Sequence, residues 1–408
     1  MTATSAKDPA LRPLRLVAAL CTAEILTMIG VAAFAALLPE FRAQWQLSNT
    51  EAGWISGVFF AGYVAAVPFL VGLTDHLDAR RIYLVSCAIT AAASFLFAAF
   101  AAGFWSALFA RAVAGVGLAG TYMPGLKALS ERIEGAHQSR AVAFYTSSFG
   151  LGIALSFLLS GEVGTRIGWR AAFVLAGLCA VAALLIAHTV LEPRGGGRPF
   201  VLRLPDFRPV VKRPEVLGYC TAYAVHNWEL FALRSWVVAF LGFVVERHAG
   251  SGSPVSPTIV ATVMTLVGMP ASVLGNELAL RIGRRRAVTW VMSISAAAAA
   301  VVGFSSFLPP MAVAVLLCAY AIAVNGDSAA LTAGLLQVAP SQHRGAAMAL
   351  YSSCGFVGAF LGPLVFGMAL DLGAPKPALA WGLAFVSLGA AVALGPVALA
   401  LTARRSPC

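Results

Sequence analysis

The chain has 408 residues, of which 60% are hydrophobic and 11% charged. An ordinary soluble domain carries roughly 25% charged residues, so the composition argues against the water-soluble class and for a surface that faces lipid. The net charge of +11 would suit a nucleic-acid partner, but the basic residues fall in short links between apolar runs, which argues against that reading.

Twelve apolar runs are long enough to span a bilayer, which needs about 20 helical residues. They lie near 14–38, 52–73, 82–102, 104–126, 141–161, 169–191, 216–243, 257–279, 287–308, 311–337, 345–370 and 377–402. Strand-sized alternation, the mark of a membrane barrel, is absent. The predicted fold class is therefore an all-α membrane protein with twelve transmembrane helices. Residues 1–13 form a short polar tail, and the first run is too long for a signal-peptide core, so it reads as a retained helix. None of the seven cysteines has metal-site or disulfide spacing.

In the first run Glu24 falls about ten residues in, ~15 Å deep at 1.5 Å per residue. A charge there is costly and usually faces a cavity or a partner. The second run ends in a basic link, Gly72-Leu73-Thr74-Asp75-His76-Leu77-Asp78-Ala79-Arg80-Arg81. The fourth carries Arg111 followed by Gly115, Gly117, Gly120 and Pro124; small residues of this kind let helices approach closely. Snorkelling to the interface is the competing account of Arg111 and the preferred one for Lys127. The fifth opens after Arg140, contains Gly150, Gly152 and Gly161, and has no proline across 141–168.

Residues 192–215, rich in Gly, Pro and Arg, read as a linker too short to be a domain. The seventh run is the most polar, with His226, Asn227, Glu229 and Arg234. His226 and Glu229 are three apart and lie on neighbouring faces, whereas Arg234 is about 140° around from Glu229. His-x-x-Glu can ligate metal in a bundle, but no second such pair exists, so no metal site is expected. Asn276 and Glu277 end the eighth run. The link 275–286 closes with Arg284, Arg285 and Arg286. The tenth run holds Asn325-Gly326-Asp327, a polar break, and the eleventh opens after Arg344 and contains Gly362-Pro363.

A constant offset of 205 maps Arg80 and Arg81 onto Arg285 and Arg286, Ser147-Ser148-Phe149-Gly150 onto Ser352-Ser353-Cys354-Gly355, and Glu24 onto Glu229. One offset over separated sites indicates a duplicated half. This divides the chain into 1–191, the linker 192–215, and 216–408. Twenty Lys and Arg fall on the side of the N-terminus, five on the other side, and Arg111, Lys127 and Arg234 within helices. That four-to-one bias places both termini in the cytoplasm. On this topology Trp45, Trp54, Trp105, Trp169, Trp236 and Trp381 lie near outer ends, as an interfacial belt would.

The link after the second run resembles the signature of the major facilitator superfamily: a Gly, an Asp, a basic residue, a Gly and two or three basic residues. Asp75, Arg80 and Arg81 match it; His76 replaces the first basic residue and Asp78 the usual Gly. The second copy has Gly283, Arg284 and Arg285 in place but Leu280 where the Asp would be. The Arg111-to-Pro124 pattern is similar to another motif of the family. The resemblance implies two pseudo-symmetric six-helix bundles that rock about a central site, with helices 1, 4, 7 and 10 lining the cavity. Those helices carry Glu24, Arg111, His226, Glu229, Arg234, Asn325 and Asp327, the expected substrate-binding and coupling set. It further implies a cytoplasmic gate of Asp75, Arg80, Arg81, Arg140, Arg284, Arg285 and Arg344, with Asp75 latching helix 2 to helix 11.

No ATP-binding loop is present, so transport would be secondary and need no cofactor beyond an ion gradient, with protons as the coupling ion. The expected partners are a small-molecule solute and the lipid bilayer, with no nucleic acid and a monomeric chain in a bacterial cytoplasmic (inner) membrane. Arg111 and Arg234 favour a small organic anion as solute. Proton-driven export of drugs or metabolites is the alternative, weakened by the missing proline in the fifth run. An intramembrane enzyme or receptor built on His226 and Glu229 lacks any nucleophile or metal constellation.

Overall fold

In a computed structural model, residues 11–74, 76–133, 136–194, 207–249, 255–373 and 375–403 are described. Every regular element among them is helical. Helices satisfy their own backbone polar groups, which a lipid environment cannot do. They are α1 (Leu11–Met28), α2 (Ala33–Ala36), α3 (Leu38–Trp45), α4 (Asn49–Leu73), α5 (Ala79–Phe100), α6 (Phe104–Ser130), α7 (Ala136–Ile167), α8 (Trp169–Val190), α9 (Arg208–Val211), α10 (Pro214–Arg247), α11 (Pro257–Ile282), α12 (Arg284–Gly303), α13 (Pro310–Asn325), α14 (Ser328–Val338), α15 (Arg344–Leu372) and α16 (Pro377–Ala403). Taking α13 and α14 together, eleven spans among the described residues are long and apolar enough to cross a membrane.

The first predicted span, 14–38, is interrupted. Between α1 and α2, residues Ile29–Ala32 form turns rather than helix, which leaves backbone groups without helical partners in an apolar bundle. Neighbouring helices supply the partners. Ser156 of α7 donates to the Ile29 carbonyl at 2.5 Å and accepts from the Ala32 N–H at 3.0 Å. Arg111 of α6 donates from Nη1 to the Gly30 carbonyl at 3.1 Å and from Nη2 to the Val31 carbonyl at 3.0 Å. Its guanidinium also lies over the Phe59 ring, 4.4 Å from the centroid. Four backbone groups are thus satisfied by two side chains, as non-helical backbone at membrane depth requires. Snorkelling does not describe Arg111, which is 4% exposed. Lys127, near the end of α6, donates to the carbonyl and hydroxyl of Thr74 at the end of α4.

The tenth predicted span is also broken, between α13 and α14 at Gly326 and Asp327. Gly275 of α11 lies against it so closely that a Cβ there would collide with the Gly326 carbonyl. Helix starts recur at the offset found in the sequence: α5 begins at Ala79 and α12 at Arg284, 205 residues later. The breaks do not recur, because α10 runs unbroken from Pro214 to Arg247.

Residues 11–194 and 207–403 meet along α4 with α15 and α7 with α11, while α10 touches α2 and α3. The α4–α15 seam is tight because it is glycine-lined: a Cβ at Gly57 would strike the Phe360 carbonyl, and one at Gly367 the Asn49 carbonyl. Trp236 is part of the core rather than of a membrane belt. It is 0% exposed and donates from Nε1 to the Pro363 carbonyl at 3.0 Å. Trp169 and Trp381 are buried too, among the aromatic rings near the same end of the bundle, whereas Trp105 stands exposed.

Replacing Ser156 by Ala removes both of its contacts at the first-span break and leaves a buried N–H and a buried carbonyl short of a partner. Such groups cost about 1–3 kcal/mol each. The variant is expected to unfold at a clearly lower temperature in detergent, and an unchanged transition would show that the break does not depend on Ser156.

Candidate functional site

Where the two halves meet, a narrow cavity with room for only about 30 Å³ is lined by residues of α1–α2, α4, α6, α7 and α10. Val31 and Ala32 reach it because the first span breaks there. Phe60 and Phe231 form aromatic walls, with ring centroids 4.3 Å apart, and Ser56 and Ser235 add hydroxyls. Both expected arginines border this space. They are in different circumstances. Arg111 is committed to the carbonyls of Gly30 and Val31, and only its Nε is buried without a partner. Arg234 lies over Phe231, 5.5 Å from the ring centroid, and makes no hydrogen bond or ion pair with any described residue.

Neither arginine pairs with Glu24 or Glu229. Glu24, fully buried, accepts through Oε2 from the Tyr145 hydroxyl at 2.9 Å, and that hydroxyl also lies 3.1 Å from the Thr121 carbonyl; Oε1 has no partner. Glu229, 1% exposed, accepts through Oε1 from Ser295 and from Tyr320, each at 2.8 Å. The two acids correspond by the 205-residue offset, but their partners do not. Leu350 is the counterpart of Tyr145 and Gly115 that of Tyr320. One turn from Glu229, His226 Nδ1 lies 2.7 Å from Asp327 Oδ1, off the line of a hydrogen bond, with both groups buried. His226 also stacks on Tyr223. Asn325 is turned back on its own helix, donating to the Ala321 carbonyl at 2.8 Å. The expected set therefore divides into Arg111 and Arg234 at the central cavity, Glu24 with Tyr145 in one half, and His226, Glu229 and Asp327 in the other. Among the described residues no group of His, Cys, Asp and Glu is arranged to hold a metal.

The expected cytoplasmic gate is less concentrated. Asp75 lies outside the described residues. Arg80 reaches the carbonyl and Nδ1 of His188 within its own half. Arg81, Arg140, Arg285 and Arg344 are exposed, and Arg284 has two buried nitrogens without partners. Asp78 gathers this corner together: it caps α5 by accepting from Arg80 N–H, accepts from Arg194 N–H at 2.7 Å, and lies 3.7 Å from Arg132 Nη2. All of these contacts stay on one side of the seam.

A polar tie across the seam occurs at the opposite end, where sequence reasoning named no residue. Asp371, in the last turn of α15, receives four hydrogen bonds from the start of α4. Asn49 gives its N–H (3.1 Å) and Nδ2 (2.7 Å) to Oδ1, and Thr50 gives its N–H (2.8 Å) and Oγ1 (2.6 Å) to Oδ2. A helix N-terminus presents free N–H groups and a partial positive charge, which a carboxylate satisfies. Here the carboxylate comes from the other half, so the contact exists only while the halves are closed at this end. The sequence signal available was Ser48-x-x-Glu51, a capping box that marks the start of α4, though nothing in it identified the partner.

A Major Facilitator Superfamily model matches residues 20–363. The niacin transporter NiaP of Acinetobacter baylyi is 29% identical over 40% of this chain and 36% of its own length. A probable 4-methylmuconolactone transporter of Cupriavidus pinatubonensis is 26% identical over 64% of this chain and 63% of its own. The chain thus spans between about a third and two thirds of these curated relatives. Among solved structures, the nucleoside transporter NupG superposes with a TM-score of 0.78 at 14% identity, covering 96% of this chain and 100% of that one. An inward-facing, unoccupied bacterial homolog of the human lysosomal transporter Spinster gives 0.74 at 18%, covering 96% of each chain.

If Asp371 closes this end, Asp371→Ala should expose the central cavity. A cysteine in place of Ser56, on the cavity wall, should then react about tenfold faster or more with a membrane-impermeant maleimide, since hydrogen bonds to a charged group contribute roughly 1.5–3 kcal/mol each. An unchanged rate in a normally folded variant would assign Asp371 to helix capping alone.

Proposed function

The chain belongs to the Major Facilitator Superfamily, and we propose that it is a secondary transporter of a small organic anion, most simply a flat monocarboxylate, driven by a proton gradient. The reading takes residues 1–191 and 216–408 as two six-helix halves. The interrupted stretch α1–α3 serves as the twelfth span. Both termini face the cytoplasm of a bacterial inner membrane, and the chain works as a monomer. The family and its named relatives point to transport rather than to an enzyme.

The observation that carries the anion reading is the state of Arg234. A guanidinium among apolar helices is costly unless it meets an anion. Arg111 offsets that cost with two backbone carbonyls and an aromatic face, whereas Arg234 has only the Phe231 ring. A carboxylate can accept two parallel hydrogen bonds from the planar guanidinium, and Phe60 and Phe231 offer flat walls to a ring attached to it. Niacin, named for one relative, is an aromatic carboxylic acid and therefore a suitable probe. Coupling is assigned to the buried acids that the arginines leave unpaired. Glu229, with His226 and Asp327 one turn away, lies on the same helix as Arg234. A proton held by this group could favour one arrangement of α10 against α13 and α14.

Two measurements test this. Arg234→Lys keeps the charge but loses the fork, and nicotinate binding to the purified protein should weaken about tenfold, which corresponds to 1.4 kcal/mol; wild-type affinity in the lysine variant, or a preference for cations, rejects the anion site. Glu229→Gln should abolish accumulation driven by an imposed proton gradient in proteoliposomes while sparing exchange of nicotinate across the membrane. Accumulation that survives both this change and Glu24→Gln would shift coupling to Asp327.

A further inference from the structure

A second groove, of about 600 Å³, lies at the Asn49 end of the bundle between α3, α4, α10 and α16. Its walls include Arg42 and Asn49 on one side and the rings of Phe243 and Trp381 on the other. It is stacked over the central cavity along the same two helices. Ala239 and Gly242 of α10 line the groove, and Arg234, five residues before Ala239, lines the cavity about 8 Å further in. On α4, Asn49 lines the groove and Ser56 the cavity, about 10 Å apart. The Asp371 latch holds Asn49 at the edge of the groove.

The groove repeats the chemistry of the cavity beneath it. Arg42 makes no hydrogen bond or ion pair among the described residues, and its Nε is buried without a partner. Asp371 is fully engaged by Asn49 and Thr50. Asn49 Oδ1, also on the groove, is a second buried atom left without a partner and can accept from a protonated or hydroxylated ligand. Among the described residues Glu246 is the one acid lining the groove, opposite one arginine, and the adjoining pocket adds Arg247 and Lys376. Three basic side chains against Glu246 and the already engaged Asp371 leave a small positive balance beside the aromatic rings, with a donor waiting for an acceptor.

We infer that this groove is a binding site for a small aromatic or flat carboxylate, held by Arg42 against Phe243 and Trp381, where the solute waits outside the closed Asp371 latch. The inference deepens the anion reading of the central cavity and rests on it for the identity of the solute. The two arginines act in sequence: Arg42 concentrates the anion at the closed end, and Arg234 receives it once α4 and α15 part. Placing a cation before the gate also favours entry of anions over cations of the same shape.

The groove can be probed without transport. Ala43 is exposed and lines it, so Ala43→Cys in the otherwise native chain provides a reporter whose reaction with a charged methanethiosulfonate can be timed. Saturating nicotinate should slow that reaction about fivefold or more, by simple mass action, and nicotinamide, the uncharged amide of the same ring, should not. Protection should vanish with Arg42→Gln, persist in part with Arg42→Lys, and remain intact with Arg234→Gln. No protection by nicotinate, equal protection by nicotinamide, or protection that survives Arg42→Gln overturns the groove site. Loss of protection with Arg234→Gln overturns it as well, because the reporter would then be sensing the central cavity. Intact, Arg42-dependent protection in a protein whose nicotinate binding ignores Arg234 would instead uphold the groove and reject the central anion site.

Discussion

The arrangement depends on Arg111 and Ser156 holding an interrupted helix together. Backbone that leaves the helix inside a bilayer has no water to turn to, and an unsatisfied polar group there costs several kcal/mol. Two side chains from α6 and α7 meet that demand at Ile29, Gly30, Val31 and Ala32. Because they do, the chain can turn at that depth and present Val31, Ala32 and Phe34 to the space between the halves. The same contacts consume the charge of Arg111, which leaves Arg234 as the arginine open to a ligand. Two similar residues thus differ in what their guanidiniums meet: backbone carbonyls and a ring for Arg111, a ring alone for Arg234.

Much of the architecture was legible in the sequence because the forces that build it are local and periodic. Long apolar runs become helices, basic links fall between them, and the offset of 205 reappears in helix starts such as Ala79 and Arg284. Glu24, Glu229 and Arg111 are bonded elsewhere than to one another. What the sequence did not reveal were contacts between residues distant in sequence and ordinary in type. Tyr145, Tyr320 and Ser295 look like routine members of apolar helices, yet they are the partners of Glu24 and Glu229. Asp371 carried no sequence signal, and Trp236 looked like an interfacial aromatic. Both meanings depend on what the opposite helix brings, and a single chain read in order does not contain that.

The two halves have diverged where function would be expected to act. One interrupts its first span and fixes the gap with an arginine; the other keeps α10 whole and interrupts its fourth span at Gly326 and Asp327. Each break lies beside a buried carboxylate, Glu24 in the first case and Asp327 in the second. Non-helical backbone at that depth gives a helix two segments that can tilt independently. The pseudo-symmetry of the helices thus coexists with breaks at different places in the two halves.

The capping of α4 has a consequence for how the bundle can open. Its first turn has two separate sets of partners. Ser48 and Glu51 exchange hydrogen bonds within the helix itself, and Asp371 serves the N–H groups of Asn49 and Thr50 from across the seam. When the halves separate, only the second set is lost, at the one end of the helix where water can replace it. In the proposed transport cycle the first turn would therefore keep its shape, and the seam would break and re-form as a contact between two rigid surfaces, with no segment having to refold.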